Sequence, residues 1–344
     1  MIEVKGMSDI SAKILADSIN EQGNRLTSFE IEVPRIVWSE FLTHGMLCRN
    51  AASSRAIPFD KMNEQLTGQP VRFGKANKGM CDAGEHSELI NGLYTPEEWW
   101  KLAKLSAINF ARGFKEAGYA KQIFNRPTEP YQQIKAVVSM TEFDNFAWLR
   151  NHEAADPTIA ELARCMQEAR EKSVPQLLKA GEWHLPYVDY FQEVVGYDGE
   201  DNSVLGKRQF YVGILQSHSG NADNNFDLLT IDQAIKVSCA RTAAVSFRNE
   251  DYDLEKCLEV YARLIGDERK HASAMQHAAT PMHKKVENIG THMTRKDYIN
   301  IPSDPSSWEK GISHSDRNRK LWSAQYKGWI MHRKTIPGEN YVNA

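Results

Sequence analysis

The stretch Thr27-Ser28-Phe29-Glu30-Ile31-Glu32-Val33 alternates apolar and polar side chains and stops at Pro34. A period of two puts every second side chain on the same side of an extended backbone, so the segment predicts a strand with one buried face. Proline brings no amide hydrogen to a ladder, so Pro34 ends that strand or marks a sheet edge. Directly behind it the period changes: Ile36, Val37, Phe41 and His44 fall near helical spacing, and a helix over 35–44 delivers the chain to 46–58. That segment is small and polar and suits a loop that touches a ligand.

The same reasoning sets out the rest of the chain. Residues 60–95 are rich in Gly, Asn and Lys and read as an excursion over the surface. Residues 96–117 predict a helix with Pro-Glu-Glu at its start and Gly118 at its end; Leu102, Leu105 and Ile108 point inward and Phe110 falls off that stripe. A short buried strand is expected over 134–141, and a tight turn or helix start over 143–150. A helix opens at Pro157 and runs to about Lys172, with Ile159, Leu162, Ala163 and Met166 on one face. A seam falls between 198 and 230, where Gly, Asp and Asn surround the apolar run 210–215. It divides the chain into parts 1–215 and 216–344, expected to form one intertwined globular unit. Beyond it, 232–240 and 254–265 show helical spacing, the latter closed by Gly266.

Charge and composition exclude several function classes. Lys and Arg number 42 against 45 Asp and Glu, so there is no net positive footprint for duplex nucleic acid or an anionic membrane. No apolar run reaches the roughly 18 residues of a membrane span, and the polar start lacks a signal-peptide core; a cytoplasmic protein is expected. The five cysteines are scattered, with no Cys-x-x-Cys pair, and read as reduced thiols rather than a disulfide framework. The eleven histidines show no His-Glu-x-x-His spacing, so no metal is expected.

Three constellations carry chemistry. The first is Thr43-His44-Gly45-Met46-Leu47-Cys48-Arg49-Asn50-Ala51-Ala52-Ser53-Ser54-Arg55. Two arginines and a pair of hydroxyls close together can grip a phosphate without a Gly-rich loop; a polar loop with incidental charges would have the same composition. The second joins 125–130 to 145–150. There Arg126 and Arg150 stand beside apolar residues and want anionic partners, either a ligand or the carboxylates of Glu129 and Glu142. The third joins Ala240-Arg241-Thr242-Ala243-Ala244-Val245-Ser246-Phe247 to His271-Ala272-Ser273-Ala274-Met275-Gln276-His277. Taken alone, these are a helix end and a polar turn.

The first constellation resembles the signature Arg-His-Arg-x-x-Ser-x-Asn-Glu-x-Ser-x-Arg of the flavin-dependent thymidylate synthases. His44, Asn50, Ser53 and Arg55 fall on its His, Asn, second Ser and last Arg, four of eight fixed positions. Thr43 and Gly45 replace its two other arginines, Cys48 its first Ser and Ala51 its Glu. The second constellation is similar to the family's Arg-x-x-x-Pro and Asn-Phe-x-x-Leu-Arg segments. The third is similar to its Ala-Arg-Val-Ser-Tyr and His-x-Ser/Thr-Pro-x-Glu-His segments, with Gln276 standing for the Glu and Ala274 for the Pro. In the family the third group precedes the signature and here it follows, the order expected of a circular permutation, or of a duplication with decay.

The resemblance implies an α+β fold, a curved antiparallel sheet with flanking helices. It implies FAD as cofactor, methylenetetrahydrofolate as carbon donor and NADPH as reductant, acting on C5 of a pyrimidine deoxynucleotide. Ser53 and Arg55 would act in catalysis, and Ser53, Ser54, Arg55, Arg126 and Arg150 would hold the substrate. His44, Arg49, Asn50, Asn145, Leu149, Ser246, Ser273, Gln276 and His277 would hold the flavin. A homo-oligomer, tetramer or dimer, is implied as well. Arg333 and Lys334 in the tail could replace the cations missing at 43 and 45, and otherwise form a solvated basic patch. Two alternatives stay open: hydroxymethylation or methylation of dUMP or dCMP for modified bases, and a nucleotide-binding protein without catalysis.

Overall fold

The computed structural model describes residues 2–64, 66–79, 83–197, 203–213, 226–246, 252–283, 305 and 308–340. The chain is α+β, with antiparallel sheets and helices in two compact units. The first unit comprises Met1–Leu177, Val245–Phe247 and Gln325–Lys327; the second comprises Leu178–Ala244, Arg248–Ala324 and Gly328–Ala344. Among the described residues, no helix is long and apolar enough to cross a membrane.

In the first unit, β1 (Glu3–Lys5), β2 (Ser11–Asn20), β3 (Arg25–Pro34), β4 (Cys48–Ala51) and β5 (Gln133–Met140) form a sheet in the order β1-β2-β3-β5-β4, every adjacent pair antiparallel. The alternating segment is β3, and Pro34 ends it as expected. β3 lies inside the sheet, however, and Leu26 to Ile31 are all buried, so the expectation of one buried face is wrong. Its polar side chains are covered because each has a partner: Thr27 Oγ1 donates to Asp17 Oδ1 at 3.0 Å, the hydroxyls of Ser28 and Ser139 share a hydrogen bond, and Glu30 pairs with Lys135 at 3.0 Å. A buried polar group with its hydrogen bonds made costs little, and without them it costs about 1–3 kcal/mol.

A 3-10 turn, Arg35–Val37, leads into α1 (Trp38–Leu42), as the sequence predicts. Short α2 (Phe59–Glu64) and α4 (Lys121–Phe124) flank the long α3 (Pro96–Glu116). Thr95 caps α3 reciprocally with Glu98, and beyond its end Gly118 adopts φ +81°, a left-handed conformation that glycine takes without strain. α3 does not bury the stripe expected of it. Ala111 is its buried residue, whereas Leu102 and Leu105 are 41% and 48% exposed.

Residues 143–150 form a full helix, α5 (Phe143–Arg150), ahead of α6 (Pro157–Lys172). The Asp156 carboxylate accepts the amides of Thr158 and Ile159, Pro157 occupies the first turn, and Ile159, Leu162, Ala163, Met166 and Ala169 are wholly buried. That stripe packs on β1, β2 and β3, each large side chain contributing about 1.5–3 kcal/mol by leaving water. Arg25 binds the far end of the helix, its Nη2 donating to the carbonyls of Arg170 and Ser173 while Nε and the same Nη2 hold Asp17. β6 (Gln176–Leu178) ends the long first segment.

In the second unit, β7 (Asp189–Phe191), β10 (Gln209–Gly213) and β11 (Phe226–Leu229) form an antiparallel sheet in the order β11-β10-β7, and β8 (Val194–Tyr197) pairs with β9 (Ser203–Leu205). α7 (Ile231–Ala243) and α8 (Leu254–Ile265) pack together, burying Ala234, Val237 and Ala240 with Cys257, Val260 and Tyr261. β12 (Ala279–Pro281) pairs with the last strand, β16 (Trp329–Met331), and β13 (His314–Ser315) with β14 (Leu321–Ser323). β15 (Tyr326–Lys327) belongs to the first unit.

Candidate functional site

The segment expected as a loop over 46–58 begins as a strand. β4 pairs with β5, Cys48 opposite Ser139 and Asn50 opposite Val137. After Ala51 the chain turns away from the sheet and is strapped down by Asn125, a buried residue whose amide donates to the carbonyls of Ser54 at 2.7 Å and Ile57 at 3.2 Å. Asn125 is held in turn, its own carbonyl accepting from Thr128 Oγ1 and Gln132 Nε2. This leaves Ser53 and Arg55 exposed and Ser54 buried. The Ser54 hydroxyl donates to Glu129 at 3.2 Å, so it is engaged within the protein rather than turned to a ligand.

Ser53 and Arg55 line an open cavity of about 450 Å³ together with Ala56, Lys121 and Gln122. The Ser53 amide donates to the Ser246 hydroxyl at 2.9 Å, across 193 positions of sequence, within the first unit. The Arg126 Nε donates to the Gln122 carbonyl at 3.1 Å, which brings a second guanidinium beside the cavity lining. Its side chain is 66% exposed and reaches Glu129 only at 4.0 Å. Glu129 is bound more closely by Arg35, at 3.2 Å. The cavity region therefore combines Arg55, Lys121 and Arg126 with a serine hydroxyl and a glutamine, a set suited to an anion.

Arg150 takes a different partner. Its Nε donates to His44 Nε2 at 2.8 Å, while Arg49 donates to the carbonyls of Leu42 at 3.1 Å and His44 at 2.8 Å. Burial first, then the cations of Arg150 and Arg49, hold the His44 pKa below its ordinary value. A neutral imidazole accepting at Nε2 carries its proton on Nδ1. Phe146 stands edge-on to this ring at 5.0 Å between centroids. Asn145, Trp148 and Leu149 occupy the outward side of α5, and Trp148 is 76% exposed. Glu142, a possible partner of the arginines, instead pairs with Lys327.

The other expected site residues belong to the second unit. Ser273 is exposed and Gln276 half-buried, whereas His277 is fully buried, with Gln276 Nε2 3.3 Å from its ring. Arg241, conspicuous in its sequence segment, is structural: its guanidinium donates to the carbonyls of Tyr187 and Tyr252. Arg333 and Lys334 both pair with Glu339, at 2.8 and 2.6 Å.

Sequence reasoning missed Lys121, Gln122 and the strap Asn125. The first two sit just past a helix stop, in no motif. Asn125 reads in the sequence only as the start of a segment, because nothing local shows that its amide is spent on a loop seventy positions back. No family model and no curated protein matches the chain. Among solved structures it is similar to thymidylate synthase X from Helicobacter pylori, determined with FAD and dUMP, with 15% identity over 42% of this chain and 67% of that one and a TM-score of 0.30.

Proposed function

We propose that this chain is a flavin-dependent enzyme that methylates C5 of a pyrimidine deoxynucleotide, dUMP to dTMP, a rearranged relative of the flavin-dependent thymidylate synthases whose first-unit sheet is the curved sheet of that family. The observation that carries the reading is the Ser53–Ser246 hydrogen bond beside a cationic cavity. Two segments that resemble separate motifs of one family, in inverted order along the chain, meet at the residues that matter in each.

Arg55, Lys121 and Arg126 supply the positive charge for the nucleotide phosphate, and Ser53 orients the nucleotide. No base stands by Ser53 to activate it as a nucleophile: its oxygen accepts the Arg55 amide at 3.3 Å. Arg150 belongs to the same reading through His44, whose orientation it sets. The residues present suit a flavin: Trp148 and Leu149 give an exposed apolar surface beside the Asn145 amide, and Arg49, Asn50 and Ser246 add donors. FAD, when bound, supplies hydride transfer, with methylenetetrahydrofolate as carbon source and NADPH as reductant; the protein contributes position and charge. The working form in this reading is a homo-oligomer.

The test begins with the absorbance spectrum of the purified protein before and after addition of FAD, followed by titration with dUMP and, separately, dCMP. Flavin absorbance that is perturbed by dUMP is the expected result. Arg55→Ala should then weaken dUMP binding by roughly 10- to 100-fold, the loss of one charge-assisted contact of about 1.5–3 kcal/mol. Colourless protein that takes up no FAD but still binds dUMP would replace the enzyme by a nucleotide-binding protein. A response to dCMP alone would move the reaction to cytosine.

A further inference from the structure

The polar groups around the open cavity come from two banks of the first unit that are far apart in sequence. Ser53, Arg55 and Ala56 stand on the turn that leaves β4, whereas Lys121 and Gln122 belong to α4, with Arg126 just beyond it. Cations that share one anion need a fixed spacing, because a charge-assisted hydrogen bond is lost once its atoms part by much more than roughly 3 Å. We infer that Asn125 is the positioning residue that sets this spacing, so that anion affinity depends on it although its side chain is buried and bonded within the protein. The inference rests on the reading of this cavity as the site of the nucleotide phosphate.

Asn125 is bonded to both banks at once. Its side-chain nitrogen donates to the carbonyls of Ser54 at 2.7 Å and Ile57 at 3.2 Å, which bracket Arg55 and Ala56. Its main-chain amide donates to the Lys121 carbonyl at 3.1 Å, and its main-chain carbonyl accepts from Thr128 and Gln132. The chain then runs directly into Arg126. Phe124 meets Phe59 nearby, with ring centroids 5.6 Å apart, but apolar contact has no direction and fixes no register. Bridging two carbonyls from one atom takes a nitrogen with two hydrogens, and among uncharged side chains only Asn and Gln carry one. Gln adds a methylene that would push the turn away. The Asn125 Oδ1 is buried with no hydrogen-bond partner among the described residues, a costly arrangement. Turning the amide over would not relieve it, since oxygen would then face both carbonyls. The side chain therefore serves through its two donors, and what they hold is the turn that carries Arg55.

Calorimetric titration of the full chain with dUMP, and separately with inorganic phosphate, tests this on the wild type, Asn125→Ala, Arg55→Ala and the double variant. Asn125→Ala should weaken binding about 10-fold when Arg55 is present and less than about 3-fold when residue 55 is already alanine, because the asparagine acts through that guanidinium. A purely structural role would reduce binding by the same factor in both backgrounds. Equal losses, or no loss, would overturn the inference and leave the nucleotide reading in place. Thr128 lies outside the cavity lining and its hydroxyl holds the Asn125 carbonyl at 3.0 Å. Thr128→Val is the milder variant should Asn125→Ala not fold: a loss of about 3-fold that vanishes in the Arg55→Ala background supports the inference, and an unchanged affinity overturns it. The same pattern with phosphate, without any binding of dUMP, would support the positioning role and retract the nucleotide. Wild-type protein that binds neither probe would overturn both.

Discussion

His184 and His277 are buried in the second unit, and burial holds both pKa values down to about 3; the Arg208 cation adds to the effect on His184, and His184 to that on His277. His332, half-buried beside Tyr261, is held at about 4 by loss of solvent, against the opposing pull of Asp232. All three are neutral in the folded protein at pH 7. The unfolded chain protonates them near pH 6.5, so acidification below that value favours unfolding until the folded pKa values are reached. Each group removes roughly 1.4 kcal/mol of stability per pH unit over that window. Urea titrations from pH 7 to 4.5 should show the midpoint falling. His277→Gln, similar in reach but unable to take a proton, should make the fall shallower; an unchanged slope would mean that His277 is not held neutral. The same burial fixes what His277 can do in any site: it serves as a neutral hydrogen-bonding ring. None of this was legible in the sequence, where a histidine beside Gln276 reads as a polar turn.

α6 and α3 show when helical spacing can be trusted. Both have caps that the sequence displays, Asp156 with Pro157 and Thr95 with Pro96, and both have the expected extent within a residue. For α6 the face is right as well, because all four apolar positions named from the sequence lie on the sheet. Leu162→Ala should therefore cost about 2–5 kcal/mol, through lost transfer energy and a residual cavity, read as a lowered urea midpoint at unchanged slope. A loss below 1 kcal/mol would mean that the site collapses or lies closer to solvent than its burial implies. For α3 the face is inverted. Large apolar residues dominate a periodicity count, yet what anchors α3 is small Ala111 with the indole nitrogen of Trp100 and the ammonium of Lys104. Periodicity registers that an apolar stripe exists; what covers it is decided elsewhere.

At the scale of the whole molecule, the first unit is completed by short segments far along the chain. Tyr326 is fully buried within it, beside Cys48 of β4 and Ser139 of β5. Gln325 and Lys327 on either side of it bond to Thr141, through a carbonyl and an amide. Tyr326→Ala should destabilise the protein by about 3–5 kcal/mol, as for other buried aromatic rings, and a tryptophan of the first unit such as Trp38 should report the loss in urea unfolding. An unaltered midpoint would mean that the first unit is self-sufficient without this segment. Ser246 also joins the first unit from a distant part of the chain.

The sequence by itself determined where β3 stops and where α3 and α6 begin and end, because caps, prolines and the periods of two and 3.6 act over a few residues. It also marked Ser53, Arg55, Arg126 and Arg150 as chemically pointed, since their motifs are local. Only the tertiary structure decided which of these share a neighbourhood: Ser53 with Ser246, Arg55 with Lys121, and Arg150 with His44. It also decided which faces are covered, as β3 and α3 show in opposite senses. Partners distant in sequence leave no local period, and a side chain carries no mark of the surface that meets it.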